Sequence, residues 1–231
     1  MRKLAVGLAL LLVVLLVADR VAASIAAGAV AARLQQSGAL RSEPSVSIRG
    51  FPFLTQALAG RYAEIDVTAR SVSRGGVRVS RLDATIVGAR IGVSAALKGS
   101  VSAVPVERLH ATALVSYADL ATASDLPGAV VASVKGGVRV SGRVTVLGKS
   151  VRASTVSTVR LSGEDIVVTA RSVSVEGGSS AAVVAALAHL LDLRVRVGRL
   201  PYGLELDGVR ATGAGLLLTA SSGPTVLTVH P

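Results

Sequence analysis

The 231-residue chain contains no cysteine and no tryptophan, one methionine, two phenylalanines and three tyrosines. Without cysteine there is no disulfide, no thiolate metal site, no thiol nucleophile and no lipoprotein-type attachment point. Aromatics make up 2% of the residues, too few to build the stacking platforms on which single-stranded nucleic acids are held. Acidic side chains are also scarce, 14 against 25 Lys and Arg, for a formal charge of +11. Residues 1–23 hold three basic side chains (Arg2, Lys3, Arg20) and one acidic (Asp19), so the remainder carries +9 and is itself basic. A basic, aromatic-poor chain favours an anionic membrane or glycan surface over nucleic acid as a partner. Arginine outnumbers lysine, which suits bidentate phosphate contacts, although enrichment in Arg, Ala, Gly and Val also follows from a GC-rich genome.

Long apolar runs are equally few. One extends from Leu4 to Ala18, preceded by Met1-Arg2-Lys3 and ended by Asp19-Arg20. This is the charged n-region and apolar h-region of a secretory signal. As a helix, its 15 or so residues reach about 22 Å, short of the roughly 30 Å hydrocarbon core, which favours a cleaved signal. Leu16-Val17-Ala18 and Val21-Ala22-Ala23 are only passable cleavage sites, and an uncleaved signal anchor with Arg2 and Lys3 on the cytoplasmic side also fits. The weak cleavage sites tilt the reading towards the tether. Either way residues 1–23 address the chain to a membrane, and residues 24–231 are expected to form a single extracytoplasmic domain. No other stretch approaches 18 uncharged apolar residues, so the rest is not read as membrane-spanning.

Beyond the apolar run, an alanine-rich, weakly amphipathic helix is expected from Asp19 to Gln36, with Val21, Ile25 and Ala32 on one side and Gly38 as its stop. Pro44 forces an extended start to the strand in which Val46 and Ile48 alternate with Ser45, Ser47 and Arg49. Phe51-Pro52-Phe53-Leu54 holds both phenylalanines of the chain and leads into a short helix ending at Gly60. Alternation then dominates. Val138, Val140, Val144 and Val146 share one face of a strand and Arg139, Ser141, Arg143 and Thr145 the other; Leu193 to Val197 repeats this in miniature. Gly75-Gly76, Gly136-Gly137, Gly148-Lys149 and Asp207-Gly208 fall at hairpin-like intervals, so the sheet is expected to be antiparallel. Ser116-Tyr117-Ala118-Asp119 reads as a capping box with Asp in place of Glu. From Ser180 to Asp192, Val183, Val184, Leu187, Leu190 and Leu191 make a broad apolar stripe on a helix that is buried or faces an apolar ligand. The heptapeptide Val67 to Ser73 recurs unchanged as Val168 to Ser174, and Gly75 to Ser80 recurs as Gly136 to Ser141; these suggest similar hairpins in one sheet system. The fold class is thus α+β and strand-rich, after an N-terminal hydrophobic helix.

Typed catalytic residues are missing. His110, His189 and His230 have no paired spacing, no GxSxG elbow occurs, and Gly148-Lys149-Ser150 lacks the first glycine of a phosphate loop because position 143 is Arg143. Glu164-Asp165 and Glu205 with Asp207 adjoin glycine at strand ends, where solvated carboxylates are ordinary. No enzyme activity, no cofactor and no metal are expected. What stands out is a mean hydropathy of +0.61, high for an exported domain. A permanently exposed apolar groove would be a liability unless something fills it, and lipid is the filler at hand in an envelope.

The Asp19-Arg20-Val21-Ala22 start, then Gly50-Phe51-Pro52-Phe53-Leu54-Thr55-Gln56 through Gly60-Arg61-Tyr62, resembles the actinobacterial LmeA-like phospholipid-binding proteins. Ser116-Tyr117-Ala118-Asp119-Leu120 and Leu200-Pro201-Tyr202-Gly203-Leu204 add to the resemblance. It implies a cell-envelope protein that binds phospholipids, including anionic ones, and in mycobacterial relatives supports elongation of the mannan of lipoglycans. It also implies similarity to tubular lipid-binding folds, in which a curved antiparallel sheet packs around one or two helices and leaves an apolar cavity. A lipid leaving a bilayer for such a cavity loses and regains the same burial of about 0.8 kcal/mol per CH₂, so selectivity rests on the headgroup. Arg49 and Arg61, which flank the FPFL segment, are expected at the phosphate. Phe51, Phe53, Leu54 and, from the late helix, Val184, Leu187 and Leu191 are expected at the acyl chains. The rival reading is a scaffolding envelope protein that binds a partner or anionic glycan through its arginine-rich sheet face.

Overall fold

A computed structural model describes residues 2–36, 42–74, 77–122, 128–146, 149–163, 165–176, 193–196 and 200–228. The first element, α1 (Arg2–Gln36), is a single helix, about 52 Å long at 1.5 Å per residue. Its character changes at Asp19. Every residue from Arg2 to Ala18 is exposed, whereas Asp19, Ala23, Ala27 and Ala31 are buried at four-residue spacing. Residues four apart share a helix face, so this stripe docks the second half of α1. The expected side of Val21 and Ile25 points outward instead, at 50% and 68% exposure. Side-chain size is the reason: alanine lets a helix axis come close to its neighbours, and Val or Ile would hold it off.

The chain divides into two compact units. Residues 1–69, 83–110 and 222–231 form the first, and residues 70–82 and 111–221 the second. In the first unit, β1 (Ser45–Arg49) pairs antiparallel with β2 (Arg61–Arg74), setting Val46 opposite Val67 and Ile48 opposite Ile65. Between them lies α2 (Phe53–Ala59), closed by Gly60 in the left-handed region, which glycine enters without steric cost. Phe53, Tyr62, Ile65 and Ala23 pack together with Ala89 of β3 (Val77–Arg90) and with Val104 and Val106 of β4 (Ala103–Val106). A short helix not foreseen from the sequence, α3 (Val93–Lys98), follows β3.

The second unit takes in most of β5 (Arg108–Ser116), α4 (Tyr117–Thr122), β6 (Val130–Val134), β7 (Gly137–Val146), β8 (Lys149–Ser162), β9 (Asp165–Val175), β10 (Leu193–Arg196), β11 (Glu205–Ala211) and β12 (Gly215–Ser222). Strand β13 (Thr225–Thr228) returns to the first unit and pairs antiparallel with β4. Strands order as β1-β2-β3-β5-β12-β11 in one sheet and β10-β9-β8-β7-β6 in another. The fold is strand-rich α+β, with antiparallel sheets as the alternation predicted.

Three local readings change. The repeated heptapeptide lies in β2 and in β9, strands of two different sheets, so the echo records like strands and not like hairpins. Asp207-Gly208 is no turn but a bulge within β11, where the register against β12 slips between Leu206 and Gly208; an extra residue in one strand bends it without ending it. The capping box at Ser116 is only half made. The Asp119 amide donates to Ser116 Oγ at 3.1 Å, but the Ser116 amide is satisfied by Ser80 Oγ at 3.2 Å. Asp is one methylene shorter than Glu, and its carboxylate instead accepts the hydroxyls of Ser116 (2.6 Å) and Ser80 (2.9 Å). The expected helix over 180–192, with Val184, Leu187 and Leu191, lies outside the described residues.

Candidate functional site

The two segments that singled themselves out in the sequence, Asp19-Arg20 and Gly50 to Gln56, are joined in space. Pro52 precedes α2 and offers no side-chain cap. Asp19, buried at 3% exposure, supplies one from α1: its Oδ1 accepts the Leu54 amide at 2.8 Å. A carboxylate at a helix N-terminus satisfies an orphan N–H, and such caps contribute about 0.5–2 kcal/mol. Arg20 Nη2 neutralises Asp19 at 2.6 Å, donates to the Gly50 carbonyl at 3.2 Å, and lies with its guanidinium carbon 5.4 Å from the Phe51 ring centre, a cation–π contact. Gln56 ties the other side of the turn: its Oε1 accepts the Ala63 amide at 2.9 Å and its Nε2 reaches the Arg49 and Pro52 carbonyls at 3.4 Å. Gly50 has φ +97°, a conformation that favours glycine, and a Cβ there would come within 2.6 Å of Gln56 Nε2 and displace that side chain from its hydrogen bonds. The Phe51–Pro52 peptide is cis.

This bracing splits the FPFL segment. Phe53 is buried and packs on Tyr62 with ring centres 6.2 Å apart, so it belongs to the core of the first unit. Phe51 and Leu54 stay 61% and 41% exposed, and Leu58, one helical turn after Leu54, is 80% exposed.

The two expected phosphate-binding arginines differ in their surroundings. Arg49 pairs with both Asp66 and Glu64, and Thr85 Oγ1 donates to Asp66 at 2.8 Å. Burial would raise the Asp66 carboxyl, but the hydrogen bonds from Arg49 and Thr85 and the Arg49 charge outweigh it and hold the group below its ordinary value. That cluster is one cation among two carboxylates. Around Arg61 the balance reverses. Arg61 Nη2 at 2.9 Å and Arg90 Nη2 at 3.5 Å share the single Glu107 Oε1, and the hydrogen bond and charge of Arg61, seconded by Arg90, hold Glu107 below the ordinary glutamate value. Gly88 makes room for this carboxylate: a Cβ there would meet Glu107 Cδ at 2.6 Å.

Arg90 and Glu107 form part of the wall of an open groove of about 390 Å³, lined also by Pro105, Val106, Pro224, Thr225 and Val226. This volume is near the lower end of the roughly 300–1,000 Å³ range of small-molecule sites. The groove therefore has an apolar floor with a net cationic group at its edge. Sequence reasoning reached Arg61 but not Arg90 or Glu107, since a pairing across 46 residues leaves no local pattern. Asp19 did leave a signal, as a carboxylate interrupting an otherwise apolar helix. Among the described residues no group of three or more His, Asp or Glu is placed to hold a metal.

No curated protein and no solved structure matches the chain. A family model, described as LmeA-like phospholipid-binding, matches residues 17–221, a span that takes in the Asp19 brace, the FPFL turn, the Arg61–Glu107–Arg90 cluster and both sheets. The chain belongs to the LmeA-like phospholipid-binding family.

Proposed function

We propose that this is a non-catalytic cell-envelope protein that binds anionic phospholipid on the outer side of the cytoplasmic membrane, as a carrier or accessory factor in envelope lipid and lipoglycan metabolism. The observation that carries this reading is the pair Arg61 and Arg90 sharing one carboxylate at the edge of an apolar groove. A lipid phosphate there takes charge-assisted bonds from the cation left over, while Pro105, Pro224 and Val226 offer exposed apolar surface to an acyl chain. Arg49, already matched by two carboxylates, is the weaker phosphate ligand of the two arginines expected. Val184, Leu187 and Leu191, which lie outside the described residues, are proposed as further acyl contacts in the same reading.

The full chain, purified in detergent and examined by native mass spectrometry and organic extraction, is expected to carry stoichiometric phospholipid enriched in anionic headgroups. Arg61→Ser with Arg90→Ser is expected to lose that enrichment, and Glu107→Gln to keep or increase it. An empty, monodisperse wild-type protein would refute the reading.

A second reading has its own observation. In the five-stranded sheet Arg143 stands directly opposite Arg152, both exposed, and Arg139 and Arg160 are exposed as well. Like charges opposed across strands are unfavourable, and no carboxylate among the described residues pairs with these arginines. An anionic glycan laid on this face would relieve the repulsion, making the sheet a scaffold surface.

A further inference from the structure

The apolar run of α1 is too short for the membrane it is built to meet, and the fold supplies the missing height. Residues 4–18 reach about 22 Å against a hydrocarbon core of roughly 30 Å, a deficit of about 8 Å, or about one and a half helical turns. A bilayer meeting such a segment thins around it, which brings apolar surface next to the segment within reach of the leaflet. Directly after Ala18 the first charged group, Asp19, is hidden: it is buried, neutralised by Arg20 and hydrogen-bonded to α2. What faces outward at this level, apart from Arg20 and Ser24, is apolar. Val21 and Ile25 of α1 are 50% and 68% exposed, and the Asp19–Leu54 hydrogen bond ties the start of α2 to α1 at Asp19, with Phe51, Leu54 and Leu58 at 61%, 41% and 80% exposure.

We infer that Phe51, Leu54 and Leu58 form a second membrane contact, sunk into the headgroup and upper acyl region of the phospholipid leaflet that surrounds α1. The occupant is that leaflet because the patch is pinned to the point where the apolar helix leaves it, and Arg20 sits over Phe51 where phosphates lie. Interfacial apolar faces enter bilayers by about 5–10 Å, which matches the deficit. The surface meeting the membrane is then α1 together with the α2 turn, and the first unit rests on the bilayer with its orientation set by two contacts instead of swinging on one helix. The inference rests on the membrane-side reading above but not on the Arg61–Arg90 groove.

Leu97 provides an internal control. It is 83% exposed, yet α3 ends at Gly99, which lies against the Arg33 guanidinium, 14 residues and about 21 Å further along α1. Because the chain has no cysteine, the single variants Phe51→Cys, Leu58→Cys and Leu97→Cys each take one environment-sensitive fluorophore. In the full chain reconstituted into vesicles of phosphatidylcholine and phosphatidylglycerol, labels at 51 and 58 are expected to show blue-shifted emission and loss of intensity with lipids carrying a nitroxide high on the acyl chain. The label at 97 is expected to stay water-like. Water-like emission at 51 and 58, or quenching at 97 equal to that at 58, overturns the inference. Lipid co-purification from the same preparations separates the two claims: retained lipid with a wet turn sinks the docking alone, and a docked turn without retained lipid sinks the carrier reading alone.

Discussion

At the scale of single residues, the chain invests its few unusual side chains at one junction. Asp19 is a carboxylate in an apolar helix, and such a group is tolerated only when paired and hydrogen-bonded. Here it has Arg20 and the Leu54 amide. Asp19→Ala is therefore expected to uncap α2 and leave Arg20 without its partner, lowering stability by about 0.5–2 kcal/mol, read as a fall in melting temperature of the detergent-solubilised chain; an unchanged melt would mean that α2 holds its place without the brace. Asp119 makes a pH prediction. Hydrogen bonds from Ser116 and Ser80 hold its carboxyl below the ordinary aspartate value, with Arg78 adding to them. A lowered native pKa means that the unfolded state binds protons first, so the stabilisation is complete above the unfolded value of about 3.9 and is lost as pH falls through the native one. Urea melts between pH 7 and pH 3 are expected to show a steeper acid loss in wild type than in Asp119→Asn, and Ser80→Ala is expected to lie between them.

At the scale of elements, the strands obey their alternation and the helices depend on their neighbours. Strand β7 runs Gly137–Val146 where Val138 to Val146 was predicted, with Val138 buried and Arg139 and Arg143 outward, because a period of two needs no tertiary information. The face that α1 buries could not be read this way, because the stripe is alanine and the larger aliphatics point out. Arg143 opposite Arg152 makes the sheet a test of the scaffold reading. Arg143→Thr is expected to stabilise the protein by about 0.2–1 kcal/mol through relief of the like-charge pair and, if an anionic glycan is the partner, to lower the salt needed for elution from an anionic polysaccharide column. A gain in stability with unchanged elution would leave that face without a glycan role.

At the scale of the whole molecule, the fate of residues 1–23 decides what a lipid-binding chain can do. Cleavage after Ala23 would remove Asp19 and Arg20 and leave α2 uncapped, whereas an uncleaved helix keeps both. Cleavage after Ala18 would keep both and still release the chain. The mature protein is expected to retain its N-terminal residues, and intact mass of protein recovered from membranes checks it; a loss of about 18–23 residues would refute the tether. A tethered chain works within reach of one leaflet, and a released one would be free to carry lipid between surfaces.

Composition and periodicity alone determined the N-terminal apolar helix, the strand-rich α+β class and the antiparallel pairing, and short motifs carried the resemblance that marks the family, because each depends on residue type or on order within a few neighbours. Only the tertiary structure decided that Phe53 is core while Phe51 and Leu54 are surface, that Arg49 is matched by two carboxylates while Arg61 shares one with Arg90, and that Asp19 holds a helix 35 residues away. These are pairings across long sequence separations. Their energy comes from which groups the folded chain brings within about 3 Å of each other, and no local pattern along the chain encodes that.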